Sequence, residues 1–360
     1  MKIVHIIHSL RGGGIQNFIL SLAPEQAIEK NEVTVIVIDK YDSDYCIHLE
    51  NILKLNDVNV IRLNKKQKNK ISLIKAISKC RYHIKNIRPD IVNSHSEIAH
   101  LYAAVAIIFS NISHVITIHT APERWSGLVK FACRNTPLIF CSQAAYELRQ
   151  QESLMMVAID NGVSRKIVHS PYVVDLRKEF GLRSTDKVIV SVGSLRPLKN
   201  YSFLKEIVEE LRDDTYHFFV CGGGKISDGD IDITDFKEYK NIHFLGLRND
   251  VSAIENGADL FLSCASIEGL PIAVLEAYFN GIPCVLSPIE QHIQIAAVEK
   301  VWIPKAFTAS AFVKTIREAF LNLASHVDVY EQRKGQIASY SISNTAKKYE
   351  KFYDRVINKN

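Results

Sequence analysis

Short β-rich runs alternate with helical patterns from the amino terminus to about residue 150, and after a break the same alternation starts again. Candidate strands in the first half are Lys2–His8, Thr34–Ile38, Val58–Leu63, Ile91–Ser94, Val115–His119 and Leu138–Cys141, with helical patterns near 15–29, 71–87, 97–109 and 142–151. In the second half the runs Val188–Val192, His217–Cys221, Ile242–Leu245, Leu260–Ser263 and Pro283–Leu286 alternate with helical patterns near 201–212, 250–256, 271–280 and 309–324. Strands separated by helices predict an α/β fold with parallel sheets. The break lies in HSPYVVDLRKEFGLRSTDK, so two doubly wound domains are expected, 1–175 and 176–340. A chain of 360 residues is also too long for one comfortable core. The closing stretch 343–358 is amphipathic, with Ala346, Tyr349, Phe352 and Tyr353 on its apolar side. Ligands of open α/β sheets bind at the carboxyl ends of strands, and two such domains facing each other would put a cleft between them.

With 47% hydrophobic and 23% charged residues the composition is that of an ordinary globular protein. The longest nearly uncharged apolar run, Ile98 to Phe109, is shorter than the roughly 20 residues of a membrane-spanning helix. The opening run MKIVHIIHSL leads straight into glycines and is read as a strand, not a cleaved leader. Seven cysteines, an odd number without a CxxC pair, imply reduced thiols and a cytoplasmic protein without a zinc framework. Residues 1–170 hold 21 Lys+Arg against 14 Asp+Glu, and the remainder 23 against 25. Much of that excess lies in Lys65, Lys66, Lys68, Lys70, Lys75, Lys79, Arg81, Lys85 and Arg88, on and before a helix whose Ile71, Ile74, Ile77, Ile84 and Ile87 are expected to face the core. Such a stripe is either a solvated helix face or a surface for anionic lipid headgroups. No aromatic interleaving accompanies it, so nucleic acid is not expected as a partner.

Glu268 and Glu276 stand eight residues apart in SIEGLPIAVLEAYFNGIPCVLS, residues 266–287. The first sits in a Gly269-Leu270-Pro271 turn and the second inside the following helix, flanked at helical spacing by Ile272, Ala273, Phe279 and Asn280. A carboxylate within a mostly apolar stripe needs a partner, and vicinal ribose hydroxyls would supply two hydrogen bonds. A loop acid with an internally paired acid is the alternative. Two glycine-bearing loops follow strands elsewhere. In His8-Ser9-Leu10-Arg11-Gly12-Gly13-Gly14, before a helix beginning near Ile15, backbone N–H groups and the helix dipole would favour an anion. The same glycines equally suit a tight turn. In VGSLRPLKN, residues 192–200, Asn200 would cap a helix and Lys199 would stand at its entrance.

The glutamate pair in this context resembles the E-x7-E motif of family-4 glycosyltransferases, retaining enzymes of the GT-B fold. The Gly12–Gly14 loop resembles that family's amino-terminal glycine loop, and VGSLRPLKN its phosphate motif, with Lys199 on the family's lysine. Ser194 replaces the family's usual arginine, and Arg196 is the candidate substitute. CGGG at 221–224 and NIHFLGLRNDVSAIENGADLFLSCASIEGLP at 241–271 continue the match in order, which fades after Pro288 at PIEQHIQIA. The resemblance implies two Rossmann-like domains facing a cleft. It implies retaining transfer of a hexose or N-acetylhexosamine from a UDP-sugar to a glycan or lipid-linked glycan in polysaccharide biosynthesis, with no metal or other cofactor. It also implies that Lys199, Arg196 and the Gly12, Gly13 and Gly14 amides meet the diphosphate, that Glu276 holds the ribose, and that Glu268 with Gly269 and Leu270 holds the sugar. His119, in ITIHT, matches the family's T-x-H setting and would orient the sugar, and His95, in DIVNSHSE, would lie on the acceptor side. By itself a histidine at a strand end is more often structural. The final helix would pack back on the first domain. The basic first half suits a lipid-linked acceptor and a peripheral position on the inner face of the cytoplasmic membrane.

Other readings stay open. A sugar-nucleotide epimerase shares the fold, and a non-catalytic glycan-binding or nucleotide-binding protein would share the pocket. A dinucleotide dehydrogenase would want a third glycine where Asn17 stands, although Asp39 is well spaced for a ribose. Asp228, Asp230 and Asp232 form a D-x-D-x-D read as a solvated loop, since an EF-hand would need a downstream Glu and flanking helices.

Overall fold

The computed structural model describes residues 1–11, 13–66, 69–119, 124–149, 151–164, 172–212, 215–223, 232–296, 300–323 and 338–359. The chain divides into two compact units, Met1–Gly162 together with Tyr340–Asn360, and Val163–Ser339. Gly12, Lys68, Asp228 and Asp230 lie outside the described residues.

The first unit runs β1 (Lys2–Ile7), α1 (Gly14–Ile28), β2 (Glu32–Asp39), α2 (Asp44–Leu55), β3 (Asn59–Lys65), α3 (Lys70–Ile87), β4 (Ile91–Ser94), α4 (Glu97–Ile107), β5 (Ser113–Ile118), α5 (Gly127–Ala132), β6 (Leu138–Phe140), α6 (Gln143–Glu147) and β7 (Met156–Ala158). Its seven strands are parallel in the order β3-β2-β1-β4-β5-β6-β7. Alternation along the strands divides the core between the two faces of the sheet. Ile3, Ile7, Val33, Val35 and Val37 pack with α1, while Val4, Ile6, Ile36 and Ile38 pack with residues of α3 and α4.

The second unit runs α7 (Leu176–Glu179), β8 (Lys187–Val192), α8 (Tyr201–Glu210), β9 (Tyr216–Cys221), β10 (Ile242–Gly246), α9 (Val251–Asn256), β11 (Leu260–Ser263), α10 (Ile272–Phe279), β12 (Cys284–Leu286), α11 (Glu290–Ile295), β13 (Val301–Trp302) and α12 (Ala309–Leu321). Its six strands are parallel in the order β10-β9-β8-β11-β12-β13. Both units therefore carry the doubly wound order in which the chain reverses direction beside the first strand.

The last helix, α13 (Ile342–Ile357), belongs to the first unit. Ile342, Ala346, Tyr349, Phe352, Tyr353 and Val356 are buried in the cluster that contains Phe18 and Leu22 of α1. Asn93 Nδ2 donates to the Tyr353 hydroxyl at 2.6 Å, and Thr345 Oγ1 donates to the Asp160 carbonyl at 2.9 Å. Gly162 admits this helix: a Cβ there would lie 2.6 Å from Ile342 Cα.

Three expectations need correction. The unit boundary falls at Gly162, not at 175, because the chain beyond it is already tied to α9. Val174 N donates to the Ala253 carbonyl at 2.8 Å, and Asn256 Nδ2 to the Tyr172 carbonyl at 3.1 Å. Ile71 and Ile74 do not face the core; each is 67% exposed. At about 100° per residue the buried face of α3 centres on Ala76, Cys80 and Ile84, which puts Ile71 nearly opposite Cys80. Asn200 caps α8 from a left-handed backbone (φ 56) without a side-chain cap, while Pro197–Lys199 form a short 3₁₀ turn ahead of it.

Gly162→Ala should destabilise the first unit by ~1–3 kcal/mol through overpacking against α13. Thermal unfolding would show the loss, and an unchanged melting temperature would mean that α13 shifts freely.

Candidate functional site

In both sheets the chain reverses strand order between the first strand and the fourth, at β1/β4 and at β8/β11. The loops leaving those strands at their carboxyl ends carry most of the candidate residues.

In the second unit the loop after β8 is held by close backbone packing. Gly193 N donates to the Cys221 carbonyl at 2.9 Å, and a Cβ at Gly222 would lie 1.8 Å from the Gly193 carbonyl oxygen. The Tyr201 hydroxyl donates to the same carbonyl at 3.1 Å. Ser266 N donates to the Leu198 carbonyl at 2.9 Å, tying the turn before Glu268 to the turn before Lys199. The outcome is an ion pair, Lys199 Nζ to Glu268 Oε1 at 2.5 Å, with both side chains mostly buried. A small recess behind it is lined by Ser191, Lys199, Tyr201 and Cys264. Gly269 and Leu270, which follow Glu268 in the chain, are buried. Arg196 is not brought into it: its side chain is exposed, and no ion pair or hydrogen bond of its guanidinium is found among the described residues.

Glu276 is half-buried on α10, and Leu275 N rather than Glu276 N closes the first turn on the Pro271 carbonyl. Its charge reaches a residue that sequence reading missed. Glu255 on α9 is buried, with Oε2 accepting from Asn280 Nδ2 at 2.6 Å and Oε1 without a hydrogen-bond partner among the described residues. Burial first, and the neighbouring Glu276 charge second, push its carboxyl well above the usual carboxylate range. The signal was available in the sequence, since Glu255 shares the apolar face of its helix with Val251 and Ile254.

His292 was also missed, in the stretch where family agreement fades. It follows β12 just as Lys199 follows β8, and it is fully buried. The Ser287 hydroxyl donates to the Ala265 carbonyl at 2.5 Å, so its oxygen accepts from His292 Nδ1 at 3.0 Å. The Ser287 carbonyl also lies 3.1 Å from that nitrogen. Nδ1 thus carries the proton and Nε2 keeps a buried lone pair with no partner among the described residues. Burial holds His292 down at about 4 against the pull of Glu268. This imidazole is neutral and close enough to the Lys199–Glu268 pair to sense both charges.

In the first unit Gly13 precedes α1 at φ 137, a conformation that favours glycine, and the space in front of the Gly14 Cα is open. The first turn of α1 has neither an acidic residue nor a side-chain cap. His95 and His119 follow β4 and β5 and are hydrogen-bonded to each other, His95 Nδ1 to His119 Nε2 at 3.0 Å. Asp39 is not available to a ribose. It is buried between His8 Nε2 and Lys65 Nζ, each at 3.2 Å, and these partners outweigh burial to hold its carboxyl at about 2. Asp232 caps a short 3₁₀ turn, accepting from Thr234 N at 2.9 Å. No helix among the described residues is long and apolar enough to cross a membrane.

Comparison with known proteins adds the following. Residues 12–193 match the family model described as Glycosyltransferase Family 4, and residues 174–335 match that described as Glycosyl transferases group 1. The chain is 28% identical over 254 residues to the UDP-Gal:alpha-D-GlcNAc-diphosphoundecaprenol alpha-1,3-galactosyltransferase of Escherichia coli, spanning 64% of each protein. It is 22% identical over 353 residues, 90% of this chain and 92% of the other, to the GalNAc-alpha-(1->4)-GalNAc-alpha-(1->3)-diNAcBac-PP-undecaprenol alpha-1,4-N-acetyl-D-galactosaminyltransferase of Campylobacter jejuni. Its fold is similar to that of Anabaena HepE solved with UDP and glucose, with a TM-score of 0.79 over 98% of each chain at 14% identity.

Glu255 supplies a stability prediction. The native acid stays protonated where the unfolded one ionises, so the folded state binds the extra proton and stability falls as pH rises above about 4.5. Glu255→Gln removes that dependence, worth up to ~1.4 kcal/mol per pH unit until the native group ionises. Chemical denaturation at pH 5, 6 and 7 should show the variant gaining on the wild type at each step. A constant difference would mean that Glu255 is ionised in the fold.

Proposed function

The chain belongs to glycosyltransferase family 4, and on that premise we propose that it transfers a hexosyl or N-acetylhexosaminyl group from a UDP-sugar, with retention, to a lipid-linked glycan. The observation that carries this reading is the Lys199–Glu268 pair, set at the carboxyl edge of β8 and β11 where the strand order reverses. Transfer breaks the bond between the anomeric carbon and the diphosphate oxygen, and negative charge collects on the departing diphosphate. Lys199, at the entrance of α8, stands where a cation and the helix dipole both favour that charge. Glu268 accepts hydrogen bonds from donor-sugar hydroxyls and Glu276 from the ribose. The uncapped first turn of α1 meets an anionic group, and His119 takes a hydroxyl of sugar or acceptor. His95, buried with both ring nitrogens hydrogen-bonded to His5 and His119, takes none. The reaction so described uses Lys199 and backbone N–H groups for the diphosphate, with no metal or other cofactor. The printed names of the two bacterial relatives, with acceptors on diphosphoundecaprenol and PP-undecaprenol, support a lipid-linked acceptor.

We also propose that the first unit rests on an anionic membrane surface at its cytoplasmic face. Ile71, Ile74 and Tyr82 on α3 and Leu128 and Phe131 on α5 are exposed by 62–67%. Exposed Lys75, Lys79, Lys85 and Lys130 stand among them. Apolar side chains that enter the headgroup layer, with cations contributing on the order of 1 kcal/mol each, are what an interfacial helix requires.

A panel of UDP-, GDP- and ADP-sugars scored for thermal stabilisation and nucleotide release tests the transferase reading; UDP-sugars are expected to give both. Lys199→Ala should lower turnover about 100-fold, the scale of one lost donor to developing charge, and Glu276→Ala should weaken UDP binding about tenfold. Conversion of the UDP-sugar without an acceptor would establish an epimerase instead, and binding without release a non-catalytic protein. Sedimentation with phosphatidylglycerol vesicles tests the surface. The Ile71→Ser/Ile74→Ser double variant should lose most of the bound fraction, and equal binding by the two proteins would reject this face.

A further inference from the structure

Four side chains of the first unit form one unbroken hydrogen-bonded line. Gln26 Oε1 on α1 lies 2.7 Å from His5 Nε2, His5 Nδ1 lies 2.9 Å from His95 Nε2, and His95 Nδ1 lies 3.0 Å from His119 Nε2. The register explains the spacing. His5 on β1 pairs with Asn93 on β4, and Asn93 with Val115 on β5. His95 and His119 thus keep the same side-chain parity as His5 and share its face of the sheet. Ring centroids 5.1 and 5.3 Å apart match the ~4.8 Å between neighbouring strands, with one imidazole to each strand. Gln26 and His5 are fully buried and His95 is 1% exposed. Phe18 of α1 packs edge-on against His119 with centroids 5.2 Å apart.

A neutral imidazole has one N–H and one bare nitrogen, so each ring in such a line dictates the next. The amide oxygen of Gln26 only accepts. His5 must therefore donate from Nε2, which leaves Nδ1 to accept from His95 Nε2–H. His95 Nδ1 then accepts from His119 Nε2–H. Five of the six ring nitrogens are used in this way. The sixth, His119 Nδ1, has no hydrogen-bond partner among the described residues and lies on the one ring of the three that is half-buried.

We propose that Gln26, His5 and His95 are positioning residues that lock His119 in its Nε2–H tautomer, so that its bare Nδ1 accepts a hydrogen bond from a substrate hydroxyl. Burial pushes His5 down to about 4 and His119 to about 3, and His95 well below the usual value, which keeps the line neutral as this logic requires. The substrate contact rests on the transferase reading; the tautomer does not.

The test uses the full-length chain labelled with ¹⁵N-histidine, read by long-range ¹H–¹⁵N correlation without substrate, with His119 assigned from a His119→Gln sample. The expected spectrum shows His119 protonated at Nε2 and bare at Nδ1. Gln26→Met keeps the shape and removes the acceptor, so His119 should become a mixture of tautomers. With the UDP-sugar selected by the panel, the same variant should lose about tenfold in kcat with KM for the donor within twofold. An Nδ1–H tautomer in the wild type, or an unchanged His119 spectrum in Gln26→Met, overturns the proposal, and the wild-type spectrum decides the first point even if the variant does not fold. A locked tautomer in a protein that turns over no nucleotide sugar would leave the relay standing and remove the transferase reading.

Discussion

Where the chain leaves one strand to pair on one side of it and later returns to pair on the other side, the right-handed connections lie on opposite faces of the sheet, and that divergence uncovers the carboxyl ends of the two central strands. β1 beside β4 and β8 beside β11 meet this condition once in each unit. The loops at those ends have no covering connection of their own, so their side chains and N–H groups stay available. Gly13, Gly14 and His95 occupy one opening and Lys199 and Glu268 the other. Close backbone contact then sharpens each loop, as where the Gly193 carbonyl leaves Gly222 no room for a Cβ.

Three carboxylates away from the openings are closely paired. Glu50 is buried but accepts from Arg62 Nε at 2.6 Å, Lys54 at 2.6 Å and the Tyr41 hydroxyl at 2.5 Å. Asp39 is clamped by His8 and Lys65, and Asp259 by Arg177 at 2.5 Å. By contrast Glu255 Oε1 and His292 Nε2 are among the buried atoms that have no hydrogen-bond partner among the described residues. A buried polar atom left unmatched costs roughly 1–3 kcal/mol. Both lie in the second unit, one in electrostatic reach of Glu276 and the other of Glu268.

The sheets were readable because parallel strands buried on both faces form largely apolar runs, such as Val33–Ile38 and Val188–Val192, interrupted only by Thr34 and Ser191. Elements that give few residues to the core were not: β7 and β13 are short edge strands, and α5 and α11 are helices of only 6 residues. α2 was missed despite a legible cap and spacing, with Ser43 ahead of Cys46, Leu49 and Leu53. The run of isoleucines in α3 misled because residue type was followed instead of angle. At the site, Lys199 and Glu268 were legible as a spaced motif. The line from Gln26 to His119 was not, since its members come from four separate segments and meet only through strand register.

The Lys199–Glu268 pair also explains how such a site exists before a ligand arrives. A mostly buried ammonium or carboxylate standing alone would be destabilising, because its lost hydration is not replaced. Paired, the two present no net charge and need no water. On the proposed reading a UDP-sugar brings anionic phosphate oxygens for the ammonium and hydroxyl donors for the carboxylate. Each group then exchanges one partner for another of the same kind. The desolvation is met once, during folding, and the ligand's own interactions are left to favour binding. The exposed guanidinium of Arg196, without a partner among the described residues, has no such provision, and for that reason the lysine rather than the arginine is the group on which the diphosphate chemistry is placed.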